Sequence, residues 1–236
     1  MRVLLRQDEA VAGQRGRLLD GEGHHLRVRR AREGEAVELR DGLGLVGNGR
    51  LVQAGEAWEV EIDRVDCCPP PPVLVLAVGA GDRERFGWVV EKAVELGATR
   101  VIPLYTERTA GVASRLRPQQ VERLRRHALE AVKQSGNPWA CAVDEPARLD
   151  DLLALPPEAE QWLADPAGSP PPAVLDDGPC RILVGPEGGL TYRERAAATA
   201  AGYHPVALGP HILRFETAAV AAAAAAQTAR LRIRNV

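Results

Sequence analysis

Lysine is nearly missing from this chain: all but Lys92 and Lys133 of its 30 basic residues are arginines. Arginine suits bidentate contacts to phosphates and bases. Glycine and proline are abundant alongside it, at 23 and 18 residues, as a GC-rich coding sequence would make them, so the bias as a whole points to no function. Net charge is also lacking. Thirty basic against 32 acidic residues leave −2, which excludes a uniformly basic coat and confines any nucleic-acid contact to local patches. Cysteine is scarce, and Cys67, Cys68, Cys141 and Cys180 form no C-x-x-C pair. Neither a zinc site nor a disulfide framework is expected, no metal is expected, and a reducing cytoplasm is the natural compartment. Long hydrophobic runs are absent too. Ala218–Ala226 falls short of the roughly 18 residues a membrane helix needs, and Met1–Gly13 meets Asp8 and Glu9 before any secretory apolar core develops. A soluble, cytoplasmic protein with no membrane partner is expected.

Two nucleotide motifs are missing as well. No Gly-Lys-Ser/Thr of a P-loop follows Gly185–Gly189, and Glu84 stands where the third glycine of G-x-G-x-x-G would follow Gly79-Ala80-Gly81.

What is present is ample apolar content, 45%, enough for a buried core. The chain divides at Cys67-Cys68-Pro69-Pro70-Pro71-Pro72, because four prolines continue neither a helix nor a central strand. Two domains follow, residues 1–68 and 73–236. In the first, Ala36–Leu39, Leu43–Val46 and Trp58–Ile62 read as strands, with Asp41-Gly42 and Asn48-Gly49 as hairpin turns between them. These short strands predict a small β-barrel.

After the prolines, strands and helices alternate. Val73–Ala77, Val101–Leu104, Ala140–Val143, Gln161–Ala164, Ile182–Val184 and Val206–Leu208 read as strands. Helical spacing covers Phe86–Val94, with Gly97 as its stop, and Pro118–Ser135, with Gly136 as its stop. Thr191-Tyr192-Arg193-Glu194 is a capping box opening a helix that ends at Gly202, and Glu216–Arg230 is the last helix. Repeated β-α units imply a mostly parallel sheet covered on both faces.

Two loops stand out. Gly185-Pro186-Glu187-Gly188-Gly189 joins a buried strand to a capped helix, and Gly209–Thr217 joins the last strand to the last helix. Ligands of open α/β sheets sit beyond the carboxyl ends of strands, where both loops fall. Glycine lets backbone approach a ligand and bares its N–H donors. Upstream, Arg27, Arg29, Arg30 and Arg32 lie beside His24 and His25 with no acid interrupting, a candidate RNA patch. A second basic stretch, Arg108 to Arg126, holds six arginines against Glu122 alone; whether it is an interface or a solvated face stays open.

Leu183-Val-Gly-Pro-Glu-Gly-Gly-Leu190 and Leu208-Gly-Pro-His-Ile-Leu-Arg-Phe-Glu-Thr-Ala218 resemble the signature loops of the SPOUT methyltransferases, most closely those of the bacterial 16S ribosomal RNA uracil-N3 methyltransferases. Glu91–Gly97, Val101–Arg108, Glu130–Gly136 and His24–Arg30 agree with the same family, so the resemblance runs through nearly the whole chain. Phe215, Asn137 and Lys133 depart from it, standing where Thr, Arg and an acid are usual.

The resemblance implies an α/β C-terminal domain with a trefoil knot, behind a PUA-like β-barrel. It implies S-adenosyl-L-methionine held by Leu163 and Ala164, by Gly185, Pro186, Glu187, Gly188 and Gly189, and by Leu208, Gly209, Ile212, Leu213 and Thr217. It implies a homodimer and, as partner, 16S ribosomal RNA or the small ribosomal subunit, methylated at N3 of a uridine in the decoding region. His25, Arg27, Arg29, Arg30 and Arg32 would bind that RNA. Such chemistry removes an imide proton and builds negative charge on the base oxygens; Arg214 suits the charge and Glu216 is a candidate base. His211 is read as a loop residue. Two alternatives remain at this point: a non-catalytic RNA-binding protein keeping the fold, and a nucleotide-dependent enzyme using Gly79-Ala80-Gly81.

Overall fold

A computed structural model describes residues 1–6, 10–109 and 116–234. Arg115, one of the six arginines of the second basic stretch, lies outside the described residues. The described chain forms two compact units. One comprises Met1–Pro70 with Leu129–Ala140, the other Pro71–Ala128 with Cys141–Val236. The first therefore includes a segment that lies after the prolines in sequence.

In the first unit, β1 (Arg2–Leu4), β2 (Arg15–Arg17), β3 (Ala36–Arg40), β4 (Leu45–Ala54) and β5 (Ala57–Cys67) form one sheet in the order β1-β3-β4-β5-β2. A bridge between Leu5 and Leu18 joins its two edges, which gives the expected barrel. Val3, Leu5, Leu18, Leu26, Val37, Leu39, Leu51, Val60 and Ile62 fill it. The turn at Asp41-Gly42 stands as expected: Asp41 Oδ1 accepts from Leu43 N at 2.7 Å and Leu45 N at 3.0 Å. The turn expected at Asn48-Gly49 does not form. β4 runs through it, and the reversal comes at Gly55-Glu56, before Ala57 pairs with Ala54. Gly49 serves a bulge instead, where a Cβ would lie 2.4 Å from the Glu61 carbonyl oxygen.

Helix α1 (Glu22–Arg29) has no apolar stripe to announce it; it buries Glu22 and Leu26 alone. Glu22, 4% exposed, meets the Lys133 ammonium at 2.5 Å. Lys133 also lies 2.7 Å from Glu130. Its departure from the family pattern thus has a partner in this chain. Asn137 likewise has a local task, accepting from Trp139 N at 3.0 Å.

The second unit is built on a parallel sheet of β6 (Leu74–Gly79), β7 (Arg100–Tyr105), β8 (Ala142–Val143), β10 (Glu160–Ser169), β11 (Cys180–Val184) and β12 (His204–Val206), ordered β12-β10-β11-β6-β7-β8, with β9 (Ala147–Arg148) paired to β7. β6 and β11 are buried throughout, as strands covered on both faces must be. Helix α6 (Phe215–Arg234) packs on β6, β10 and β11 and against α2 (Arg83–Glu95). Ala219, Ala222, Ala223 and Ala226 are its fully buried stripe, small residues that let the helix lie close to the sheet. Helix α3 (Pro118–Ser135) buries Val121, Leu124, Ala128, Ala131 and Val132, while Ser135, expected on the same face, is exposed at the helix end. The short α4 (Leu149–Leu153) and α5 (Tyr192–Ala200) contact each other, with Leu149, Leu152 and Ala198 in one core with Leu163 and Leu183.

Among the strand boundaries that differ from expectation, those of β12 and β10 bear on the site. β12 ends at Val206, so Leu208 lies in the loop and not in the sheet. β10 runs on to Ser169 through Pro166, but the register breaks between Ala164 and Ser169, so the proline sits where no ladder donor is needed.

Candidate active site

A first segment inside β10, a second loop following β11 and a third following β12 border a cavity of about 490 Å³. Most of the expected cofactor residues face it: Leu163 and Ala164 from the first, Gly185, Pro186, Glu187 and Gly189 from the second, Leu208, Gly209, Ile212 and Leu213 from the third. Gly188 and Thr217 do not. A Cβ on Gly188 would meet the Arg108 side chain at 3.3 Å, and Thr217 is exposed on α6.

The second loop is held from several sides. Gly189 takes φ +68°, and its N–H closes a turn on Pro186 O at 2.8 Å. The Arg108 guanidinium donates to the Gly188 carbonyl. The capping box is present, with Thr191 Oγ1 accepting from Glu194 N and Glu194 accepting from Thr191 N. Behind the loop lies the end of β6. A Cβ on Gly79 would stand 2.4 Å from Pro186 N, and one on Gly81 would stand 2.0 Å from the Glu187 carboxylate. That carboxylate accepts from Asp82 N at 2.8 Å. Gly79 and Gly81 are therefore already covered by the second loop. At both glycines the space a side chain would take is filled by protein.

Arg214 lines the cavity, and among the described residues its guanidinium has no hydrogen-bonded or ion-paired partner. Glu216 does not line it. Its Oε1 lies 3.7 Å from Arg85 Nη1, and its Oε2 is buried with no hydrogen-bond partner among the described residues. Arg85 lines the cavity, as do Arg108, Arg195, Phe215 and His211. Sequence reasoning missed Arg85 and Arg195. Arg85 belongs to the first turn of α2, directly after β6, so the strand-end rule that marked the other loops would have found it. Asp165 and Glu187 are the cavity's carboxylates, and Arg195 stands 4.0 Å from Asp165. Arg85, Arg108 and Arg214 leave the wall electropositive. Phe215, 3% exposed, brings an aromatic surface where the family pattern has a hydroxyl.

In the first unit, His24, His25, Arg27 and Arg29 lie exposed on α1, Arg30 caps the helix with φ 58°, and Arg32 follows it. The patch is not free of acids. Glu35 lies 3.1 Å from Arg29, and Glu130 lies 3.9 Å from His25. Among the described residues, Arg27, Arg30 and Arg32 make no ion pair. In the second basic stretch, Arg125 is paired with Glu122 and, at 3.1 Å, with Glu145. Among the described residues no cluster of His, Cys, Asp and Glu could hold a metal, and no helix is long and apolar enough to cross a membrane.

Residues 69–227 match the family model of an RNA methyltransferase domain, and residues 18–61 that of an RNA methyltransferase PUA domain. The chain is 34% identical to the ribosomal RNA small subunit methyltransferase E of Synechocystis, over 85% of this chain and 69% of that one. It is 29% identical to the protein of the same name from Aquifex aeolicus, over 88% and 93%. The crystal structure of a ribosomal RNA small subunit methyltransferase E from Neisseria gonorrhoeae, bound to S-adenosyl methionine, superposes with a TM-score of 0.85 over 97% of both chains at 29% identity.

Proposed function

This chain belongs to the RNA methyltransferase family, and from that footing we propose that it transfers a methyl group from S-adenosyl-L-methionine to N3 of a uridine in the decoding region of 16S ribosomal RNA, within the small ribosomal subunit. The observation that carries the reading is the cavity bordered by β10 and by the loops after β11 and β12, walled by Gly185, Gly189 and Gly209 and by Arg214, which is unpaired among the described residues. Relatives named for small-subunit RNA methylation, and a similar structure holding S-adenosyl methionine, support the same cofactor and substrate.

The residues that would hold the cofactor are Leu163 and Ala164, Gly185–Glu187 with Gly189, and Leu208, Gly209, Ile212 and Leu213; bound there, it would supply an electrophilic methyl on a sulfonium. The chain's own part is placement and charge. Leu163, Leu208 and Leu213 shield the site from water, and pre-set loops spend no binding energy on ordering. Arg214 offers a permanently charged fork to the oxygens of the deprotonated base. His25, Arg27, Arg29, Arg30 and Arg32 anchor the RNA. The chain end threads as the family's trefoil knot, and the protein acts as a homodimer in the cytoplasm.

The test is methyl transfer from labelled S-adenosylmethionine to small subunits lacking the modification. Label should enter 16S RNA with this protein and not with Arg214→Ala. A chain that binds subunits and cofactor without transferring label is the non-catalytic RNA-binding alternative.

A further inference from the structure

We infer that Arg85 is a second charge-stabilising residue of the site, taking one carbonyl oxygen of the uracil ring while Arg214 takes the other, and that Glu216 is the residue that positions it. The inference rests on the uracil-N3 reading and deepens it.

Arg85 and Arg214 come from different elements, the first turn of α2 and the loop before α6, yet both line the same cavity. Glu216 ties the two elements together. Its side chain is 12% exposed against 42% for Arg85. The carboxylate therefore sits behind the wall while the guanidinium stands partly in the open. With Oε2 lacking a hydrogen-bond partner among the described residues, the Glu216 charge is offset mainly by Arg85, and a buried carboxylate with one cation beside it holds that cation in place. A guanidinium has five donors in a fixed plane, so contact with Glu216 leaves donors for a ligand. Glu216 itself does not reach the cavity wall, which turns it from a proton acceptor into a support.

The chemistry calls for two such donors. When N3–H gives its proton to water, the negative charge spreads over O2 and O4, one on each side of N3. The N3 lone pair then forms the N–C bond to the methyl, the C–S pair returns to sulfur, and neutral S-adenosylhomocysteine leaves. One guanidinium per oxygen stabilises the anion symmetrically and leaves N3 open to the methyl. It also selects the base, because cytosine carries an amino donor where uracil has O4, and a donor facing a donor is rejected.

The experiment compares the intact protein with Arg85→Lys, Arg85→Ala and Glu216→Gln on small subunits lacking the modification. Readouts are single-turnover 3-methyluridine formation across a pH series and S-adenosylmethionine binding by calorimetry. Arg85→Lys keeps a cation beside Glu216, and so the fold, but loses the fork. We expect its rate at neutral pH to fall on the order of a hundredfold with cofactor affinity unchanged. The loss should shrink as pH rises, because hydroxide then supplies the anion that Arg85 no longer stabilises. Glu216→Gln should shift the profile the same way by less, and Arg85→Ala by more. A rate that survives all three variants, a loss equal at every pH, or cofactor affinity falling in step with rate overturns the inference; the last would place Arg85 on the cofactor's carboxylate. If the unaltered protein forms a product other than 3-methyluridine, the uracil-N3 reading fails first, and the inference with it.

Discussion

Gly79 at the end of β6 lies so close to Pro186 that a Cβ there would stand 2.4 Å from the proline nitrogen and 2.8 Å from its Cα. The proline Cδ lies between them at 2.6 Å, and a pyrrolidine ring fused to its own backbone cannot swing aside. Gly79→Ala should therefore push the Gly185–Gly189 loop off its seat, lowering stability by about 1–3 kcal/mol and weakening cofactor binding more than that loss explains. Denaturant unfolding and calorimetry on one preparation check both halves. Gly81→Ala meets only the far end of the Glu187 side chain and should be milder.

Gly209 gives the complementary case. A Cβ there meets only Leu213 Cδ2, at 3.9 Å, so the fold has room for a side chain while the cavity does not. Gly209→Val should leave the melting temperature near that of the parent and abolish measurable S-adenosylmethionine binding. Normal binding by the folded variant would move the cofactor elsewhere.

Lys133 and Glu22 form a half-hidden pair in the first unit, with side chains 15% and 5% exposed. Burial works against the charged lysine, but hydrogen bonds to Glu130 and Glu22 outweigh it, and its pKa is raised above 10.5. A raised folded-state pKa means the pair's stabilisation is complete below that ordinary value and is lost only as pH climbs past it. Lys133→Ala should cost about 3 kcal/mol by leaving Glu22 buried without its cation, and Lys133→Met with Glu22→Gln should recover much of it. Urea titrations at neutral pH measure both.

Burial pushes the Cys180 thiol from its ordinary 9.0 up to about 12. The unfolded chain therefore loses this proton before the folded one, and between those values stability falls as pH rises. Alkylation at pH 8 should label exposed Cys67 readily and leave Cys141 and Cys180 untouched until the protein unfolds. Peptide mapping by mass distinguishes them.

In the RNA patch, the partnering of Arg29 with Glu35 and of His25 with Glu130 leaves Arg27, Arg30 and Arg32 without ion pairs among the described residues, and of these Arg27 and Arg30 lie on α1 and at its C-cap. Replacing both with Ala should weaken RNA binding and flatten its salt dependence, because fewer counterions are released, with cofactor affinity unchanged. Equal loss of both would make the patch structural.

The sequence made the second unit readable because buried parallel strands, glycine stops and the Thr191 capping box each leave a local mark. The same logic failed at Asn48-Gly49, where a turn-forming pair sits inside a strand because β5 bulges against it; only the pairing partner decides between those outcomes. Helix α1 escaped notice because its buried face consists of Glu22 and Leu26, and the buried Glu22 is met by Leu4 N and by Lys133, the latter over a hundred positions away in the chain. In the site, the glycine-bearing loops were visible from sequence. What Gly188 faces was not, since it depends on Arg108 from a different strand end. Arg85 reads locally as a solvent-facing helix residue, and only the fold sets it beside Glu216.

The central claim is the identity of the methylated atom, and one measurement reaches it directly. Small subunits lacking the modification are incubated with the protein and S-adenosylmethionine, their 16S RNA is digested to nucleosides, and the methylated product is identified by mass and chromatographic position and mapped to its nucleotide. The account predicts 3-methyluridine at a single decoding-region position. A methyl group on a ribose, on carbon, on a base other than uracil, or in the large-subunit RNA would contradict it.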